Sequence, residues 1–249
     1  MAIAIKTAQE IEKMRKSGRV LRQVHEAIRA AVKPGATTMD LEKVAEAKIA
    51  ELGGRPAFKG YMDYPACLCT SVNNEVIHGI PSHTRRLREG DVVSVDCGVI
   101  LDGYYSDAAV THAVGKVKPE IQKLLDVTET SLEMAIEQVK PGNTLGDIGA
   151  AVQEYCEAAG FGVVREFVGH GIGKKMHEDP QVPNYGKKGK GTKLRPGMVL
   201  AIEPMINAGG PEVKVLNDGW TAVTLDGSWS AHFEHTVAVT QAGHLVLTD

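Results

Sequence analysis

Val32-Lys33-Pro34-Gly35-Ala36-Thr37-Thr38-Met39-Asp40-Leu41 returns in altered form as Val139-Lys140-Pro141-Gly142-Asn143-Thr144-Leu145-Gly146-Asp147-Ile148. A second pair repeats at the same displacement. Leu87-Arg88-Glu89-Gly90 leads to Asp96 and Leu194-Arg195-Pro196-Gly197 leads to Glu203, so that 139 − 32 = 107 and 203 − 96 = 107. A duplicated unit fused into one body tends to set equivalent residues around a pseudo-twofold axis. Asp96 and Glu203 are therefore expected to converge on one central site, and two converging acids make a metal ion the first hypothesis.

Outward from the repeats, each half opens with two helices. Thr7-x-x-Glu10 is a capping box, followed at helical spacing by Ile11, Met14, Gly18, Leu21, Val24 and Ile28 until Pro34-Gly35 stops the pattern. A second helix is expected from about Thr37 to Leu52, opened by Thr37-x-x-Asp40 and closed at Gly53-Gly54. The second half repeats the plan. Pro119 starts a helix through Leu124, Leu125, Leu132 and Ile136, and Thr144-x-x-Asp147 opens another that ends near Gly160.

Strand-like runs follow in each half: Leu68–Val72, Val92–Ile100 and Tyr104–Val114, then Val163–Val168, Val199–Ile206 and Thr236–Val239. The expected class is α+β, with helices covering one face of an antiparallel sheet. No linker rich in Pro, Gly or Ser separates the halves, about 1–115 and 116–249, so a single domain over 1–249 is expected.

Composition narrows the function classes. A net charge of −3, with both signs mixed along the chain, argues against a general nucleic-acid or membrane-surface binder. The local exception, Lys187-Lys188-Gly189-Lys190-Gly191-Thr192-Lys193, reads first as a solvated loop and second as an RNA-facing patch. Four cysteines are too few for a disulfide framework in 249 residues, and Cys67-Leu68-Cys69 lacks zinc-knuckle spacing. The apolar start Met1–Ile5 runs straight into a polar helix-starting segment, unlike a leader, so a cytosolic protein is expected.

Asp102-Gly103 lies between two strand-like runs and reads as a two-residue hairpin turn. Residue 98 then faces 107, and 96 shares its face of the sheet, which makes Asp96 and Asp107 diagonal neighbours roughly 7 to 8 Å apart at the backbone. Two carboxylates so placed can meet at a metal and repel each other without one. Glu203 in Ala201-Ile202-Glu203-Pro204-Met205 and Glu234 in His232-Phe233-Glu234-His235-Thr236-Val237 are acids set among apolar residues, where charge needs a partner. Asp107 and Glu234 form an equivalent pair at a displacement of 127, which implies an insertion of 20 residues, expected around Asp218 to Ser230.

Two histidines share a context: Val76-Ile77-His78-Gly79-Ile80 echoes Val168-Gly169-His170-Gly171-Ile172, and His177 follows closely. The other six, His25, His83, His112, His232, His235 and His244, read as surface or supporting residues. Four carboxylates with one imidazole suit hard or borderline divalent ions, and a set of this size is typical of two ions about 3.5 to 4 Å apart activating one water. Hydrolysis is the natural chemistry.

Taken together in order, His78-Gly79-Ile80-Pro81, Asp96 with Asp107, Gly169-His170-Gly171-Ile172-Gly173, Met176-His177-Glu178-x-Pro180, Glu203-Pro204-Met205 and Glu234-His235-Thr236 resemble the type I methionine aminopeptidases of the pita-bread fold. The resemblance spans essentially the whole chain. It implies removal of the initiator methionine from nascent chains with a small second residue, by a hydroxide bridging two divalent ions. It implies Asp96, Asp107, His170, Glu203 and Glu234 as metal ligands, with Asp107 and Glu234 shared by both ions. Glu203 would accept the water's proton, His78 would stabilise the intermediate or leaving nitrogen, and His177 would bind the substrate carbonyl. Phe58, Tyr61, Tyr64, Cys69, Met176 and Trp220 would form the methionine pocket. Phe58 stands where some bacterial relatives carry cysteine, and Met176 where some carry phenylalanine; both exchanges stay apolar.

Fe(II), Mn(II), Co(II) and Zn(II) all suit such a donor set. A monomer meeting nascent polypeptides, with transient ribosome contact through Lys174, Lys175 and the 187–193 run, is the accompanying expectation; DNA and membranes are not expected partners. Alternatives are a proline-specific aminopeptidase of the same fold, whose relatives are longer with an added N-terminal domain, and a non-catalytic partner-binding protein. Type II enzymes carry a helical insertion, for which the 32 residues between His170 and Glu203 and the 30 between Glu203 and Glu234 leave little room.

Overall fold

A computed structural model describes residues 3–249; Met1 and Ala2, part of the apolar start discussed above, lie outside it. The helices are α1 (Ala8–Ala31), α2 (Thr38–Glu51), α3 (Pro119–Ile136) and α4 (Leu145–Ala158), each beginning within two residues of its expected start, while α1 and α3 end a few residues before the Pro-Gly pairs at 34–35 and 141–142 expected to stop them. Thr7, Thr37 and Thr144 each close a capping box with the acid three residues on, giving two orphan N–H groups partners at each helix start.

The strands are β1 (Arg55–Pro56), β2 (Leu68–Val72), β3 (Glu75–Ile77), β4 (Val92–Leu101), β5 (Tyr104–Ala113), β6 (Gly162–Val163), β7 (Gly169–Gly171), β8 (Glu178–Val182), β9 (Val199–Ile202), β10 (Met205–Asn207), β11 (Val213–Val215), β12 (Ala222–Thr224), β13 (Ser230–His232), β14 (Glu234–Thr240) and β15 (Gly243–Val246). A nine-stranded sheet runs β1-β4-β5-β14-β9-β7-β8, with β2 also on β4 and β15 also on β14. Every pairing within it is antiparallel.

Alternation along the central strands decides which face does what. Val93, Val95, Cys97 and Val99 of β4 pack with Val20, Leu21, Val24 and Ile28 of α1, forming the core of the first half. Their even-numbered neighbours Ser94, Asp96 and Gly98 point the other way. In the second half, Leu124, Leu132, Ile148 and Val152 of α3 and α4 close over Leu200, Ile202, Val237 and Val239. Helices thus cover one face and leave the acids on the other.

The hairpin forms as expected: Leu101 pairs with Tyr104 and Gly98 with Asp107, and Asp102 and Gly103 take φ of 50° and 78°, the left-handed pair that such a turn requires. Asp96 pairs with Ala109, so Asp96 and Asp107 are the expected diagonal neighbours.

Four details differ from expectation. The run Val199–Ile206 is two strands, β9 and β10, because Pro204 cannot donate to a ladder and Glu203 sits at the break. The expected strand Val163–Val168 shortens to Gly162–Val163, with Arg165 and Glu166 turned to solvent. The insertion begins earlier than Asp218: the whole excursion lies between Asn207 and Ser230, which pair with each other, and it contains the β11–β12 hairpin. Finally, the histidine echo is not part of the fold's repeat. His170 lies in β7 beside β9, and the corresponding strand beside β4 is β2, whereas His78 lies beyond β3 with a left-handed φ of 60°.

Where the halves meet, two threonines exchange places. Thr236 Oγ1 accepts from the Asp107 N–H at 3.0 Å and donates to the Asp107 carbonyl at 2.8 Å. Thr111 Oγ1 does the same for His232, accepting at 2.8 Å and donating at 2.7 Å. The two clasps are related by 236 − 111 = 125 and 232 − 107 = 125, two fewer than the displacement linking Asp107 to Glu234; the strand is interrupted at Phe233 between β13 and β14.

Candidate metal centre and pocket

The face of the sheet away from the helices carries a cavity of about 160 Å³ lined by Asp96, Asp107, His170, Glu203 and Glu234 together with His78, His177, Phe58, Tyr61, Tyr64, Cys69, Met176 and Trp220. All residues expected at the site, acids, histidines and apolar wall alike, are therefore brought together. Met62, also on the lining, is an exposed addition that the sequence reading missed.

Asp107, His170 and Glu234 are buried, at 3%, 7% and 2% exposure, and each offers one ligand atom within 4.8 Å of the others. His170 Nε2 lies 3.8 Å from Asp107 Oδ2 and 3.7 Å from Glu203 Oε1. Its Nδ1 is 2.8 Å from the Gly171 carbonyl, which can only accept, so Nδ1 carries the hydrogen and Nε2 turns a bare lone pair toward the acids. Asn184 fixes the strand break from behind by donating to the Glu203 carbonyl at 2.9 Å.

The electrostatics call for cations. Burial raises Asp96 to about 7. It also pushes Asp107, Glu203 and Glu234 well above the usual carboxylate range, reinforced by the neighbouring carboxylates. Asp96 Oδ1, Asp107 Oδ1 and Glu234 Oε1 are buried with no hydrogen-bond partner among the described residues. Buried polar atoms normally find partners, and a carboxylate cluster lacking protein donors, with one imidazole lone pair aimed into it, has the chemistry of a divalent-cation site. Burial lowers His170 to about 3, so that it is neutral and able to ligate.

His78 and His177 stand on the cavity's rim. The left-handed backbone at His78 is secured by its neighbour: the Thr70 N–H donates to the Gly79 carbonyl at 2.7 Å, and the Gly79 N–H donates to Ser71 Oγ at 3.2 Å. Burial holds His78 at about 4 and also lowers His177, so both rings are neutral near pH 7. The His177 and His170 ring centroids are 4.2 Å apart.

Beside the acids, Ala57, Phe58, Tyr64, Ala66, Cys69 and Met176 form a separate apolar cluster, with Tyr61 and Trp220 packed against it. Tyr64 meets Trp220 edge to face at 5.0 Å, and its hydroxyl lies 2.9 Å from the Leu68 carbonyl and 3.1 Å from that of Gly79. The rigid aromatic edge opposite the adaptable Met176 suits an unbranched apolar side chain.

One of the histidines read as surface or supporting, His232, takes the supporting place. His232 Nε2 is buried, unpartnered among the described residues, and 3.7 Å from Glu203 Oε2. Because Phe233 interrupts the strand between His232 and Glu234, the place of His232 follows not from parity with Glu234 but from the pairing of β13 with β10, where His232 lies opposite Met205, two residues beyond Glu203.

Comparison with known proteins agrees with this geometry. The sequence profile of metallopeptidase family M24 matches residues 12–241. A protein of Clostridium acetobutylicum named methionine aminopeptidase is 52% identical over 99% of this chain and 98% of its own. Methionine aminopeptidase 1 of Bacillus subtilis is 49% identical, covering 99% of each. The crystal structure of methionine aminopeptidase from Thermotoga maritima superposes with a TM-score of 0.98 at 48% identity, covering 100% of both chains. With likeness extending end to end in sequence and fold, the chain belongs to metallopeptidase family M24, of the pita-bread fold, and within it to the type I methionine aminopeptidases.

Proposed function

We propose that this protein removes the N-terminal methionine from polypeptides whose second residue is small, by metal-dependent hydrolysis. The observation that carries the reading is the joining, in one cavity, of a carboxylate-rich cation site and an apolar pocket shaped for an unbranched side chain. Asp96, Asp107, His170, Glu203 and Glu234 would hold two divalent ions, with Fe(II), Mn(II), Co(II) and Zn(II) all matching the donors. Such ions supply Lewis acidity, making a water nucleophilic near neutral pH and polarising the scissile carbonyl.

The chain's own residues do the rest. Phe58, Tyr61, Tyr64, Cys69, Met176 and Trp220 take the methionine side chain, which fixes the following carbonyl beside the acids. His177 donates a hydrogen bond to that carbonyl oxygen as negative charge develops there. As water oxygen bonds to the carbonyl carbon, Glu203 takes the water's proton and passes it to the nitrogen while the C–N bond breaks. His78 donates to the tetrahedral intermediate or the departing nitrogen. Crowding of the second residue against the acids restricts it to small side chains.

We further propose a cytoplasmic monomer, one catalytic domain over residues 1–249, meeting nascent chains at the ribosome through Lys187, Lys188, Lys190 and Lys193. Neutralising these lysines should weaken salt-sensitive ribosome binding; unchanged binding would remove that contact from the proposal.

The deciding experiment measures free methionine released from a Met-Ala-Ser peptide by metal-stripped protein before and after anaerobic addition of Mn(II), Fe(II) or Co(II), with Met-Leu-Ser and Ala-Pro peptides alongside. Metal-dependent cleavage of Met-Ala-Ser alone is expected. Preference for Ala-Pro would move the protein to the proline-specific branch, and silence on all three with metal bound would favour a non-catalytic partner-binding role.

A further inference from the structure

The two imidazoles in contact on the cavity lining, tilted 56° to each other, have different hydrogen-bond partners. His170 backs onto a carbonyl at 2.8 Å, which can only accept. His177 Nδ1 instead lies 2.8 Å from the hydroxyl of Tyr61, with the two rings tilted at 36° and their centroids 5.3 Å apart. A phenol can donate, and the Tyr61 hydroxyl has no other hydrogen-bond partner among the described residues. Burial raises the Tyr61 pKa, so the phenol keeps its hydrogen. If the phenol donates, Nδ1 accepts, and the hydrogen of the neutral ring must sit on Nε2.

We propose that Tyr61 is a positioning residue: by donating to His177 Nδ1 it holds that ring as the Nε2–H tautomer, the opposite of His170. The consequence is a division of labour between rings 4.2 Å apart. His170 presents a bare nitrogen, suited to a cation, while His177 presents an N–H, suited to an oxygen acquiring charge. Deprived of the phenol, His177 would be free to carry its hydrogen on Nδ1 and to turn a second lone pair toward a carbonyl that needs a donor.

The segment bearing Tyr61 is built to deliver that hydroxyl. The Tyr61 N–H donates to the Phe58 carbonyl at 2.8 Å, the Tyr64 N–H to the Tyr61 carbonyl at 2.9 Å, and the Gly60 N–H to the Tyr64 carbonyl at 2.8 Å. These bonds close a short strap over the pocket, and its inward residues Phe58 and Tyr64 anchor it in the apolar cluster. Tyr61 thereby ties the strap covering the methionine pocket to the ring that addresses the carbonyl.

The inference rests on the aminopeptidase reading only for its catalytic half, and its test separates the two. Metal-free protein labelled with 15N in histidine, with His177 assigned by loss of its signals in His177→Gln, reports the tautomer by long-range 1H–15N correlation. In the wild type, Nε2 is expected in the protonated range and Nδ1 in the unprotonated range. In Tyr61→Phe, which keeps the ring, both nitrogens should move toward the average of two tautomers. For the metal-loaded enzyme on Met-Ala-Ser, kcat should fall about three- to tenfold, the factor one hydrogen bond supports, with a smaller change in KM. A wild-type His177 protonated on Nδ1 would overturn the proposal, as would a Tyr61→Phe protein with unchanged spectrum or unchanged kcat. A wild type inactive on Met-Ala-Ser would instead sink the aminopeptidase reading, while the tautomer remains readable from the spectrum.

Discussion

Gly98 lies where a side chain would strike Phe58: a Cβ there would sit 2.7 Å from the ring carbon Cε1 and 2.8 Å from the Ala57 Cβ. Because Gly98 also pairs directly with Asp107, one bare backbone position lets the pocket wall close down beside the acids. Gly98→Ala is expected to destabilise the protein by about 1–3 kcal/mol through overpacking. It should also displace Phe58 and raise KM for Met-Ala-Ser more than it lowers kcat. Thermal melting with steady-state kinetics checks both, and an unchanged KM would show that Phe58 does not shape the methionine pocket.

Asp107 feels both Glu234 and Asp96 as like charges in a buried site. Replacing it with Asn removes a ligand and a source of repulsion together. Asp107→Asn should bind Mn(II) roughly a hundredfold more weakly or worse, yet its metal-free form should melt no lower than the metal-free wild type at about pH 7.5. Calorimetric titration and melting curves read the two effects separately. A lower melting temperature would mean that the carboxylate already has a partner in the metal-free protein.

Metal uptake should be coupled to protons. Asp96 is raised from its ordinary 3.8 to about 7, and Asp107, Glu203 and Glu234 also rise. Groups raised on folding contribute stability below their unfolded pKa, and that contribution is lost as pH climbs through the folded value. The buried histidines oppose this trend. His78 and His170 fall from 6.5 to about 4 and about 3, so their contribution is present above 6.5 and lost as pH falls. Melting temperature therefore mixes two signs, whereas binding isolates one: cations displace protons from the carboxylates, and His170, already neutral, releases none. Mn(II) titrations in buffers of different ionisation enthalpy should show proton release that is greater near pH 6 than near pH 8. Pure metal binding without proton release at both would contradict the raised carboxylates.

Thr236 is fully buried and holds both backbone groups of Asp107. Thr236→Val keeps the shape but strands an N–H and a carbonyl, a loss of about 1–3 kcal/mol in stability. Mn(II) affinity should fall with it, although residue 236 offers no ligand. Thr236→Ser, which keeps the hydroxyl, should recover most of that affinity. Equal affinity in the valine protein would show that β5 keeps its place unaided.

Much of this architecture is readable from the chain because its signals are local. Capping boxes, Pro119 and the Asp102-Gly103 turn act within a few residues, so helix starts and the β4–β5 register follow from short-range chemistry. Asp96 and Asp107 could be placed because strand parity is arithmetic once the turn is known, whereas Glu203 and Glu234 are read from their apolar flanks and from the repeat. What escaped depends on distant partners. Val163–Val168 has strand composition, but only Gly162 and Val163 find a ladder, opposite Asn207 and Ile206. The likeness of the His78 and His170 segments is real as text, yet the fold gives one to a strand and the other to a left-handed turn beyond one. Tyr61 was expected in the pocket, but its bond to His177 joins residues 116 positions apart, which no local pattern encodes.

The crossed threonine clasps bear on how such a duplication ages. Each copy lends a hydroxyl that holds the other copy's backbone at the site: Thr236 grips Asp107, and Thr111 grips His232, two residues before Glu234. Two copies that only lay side by side would drift apart freely, each answering for its own residues. Here a change at either threonine is felt in the opposite copy, in the backbone that carries or closely precedes a site acid. The ancestral halves are thus mutual creditors, and a descendant that loses one clasp inherits a defect in the half it did not mutate.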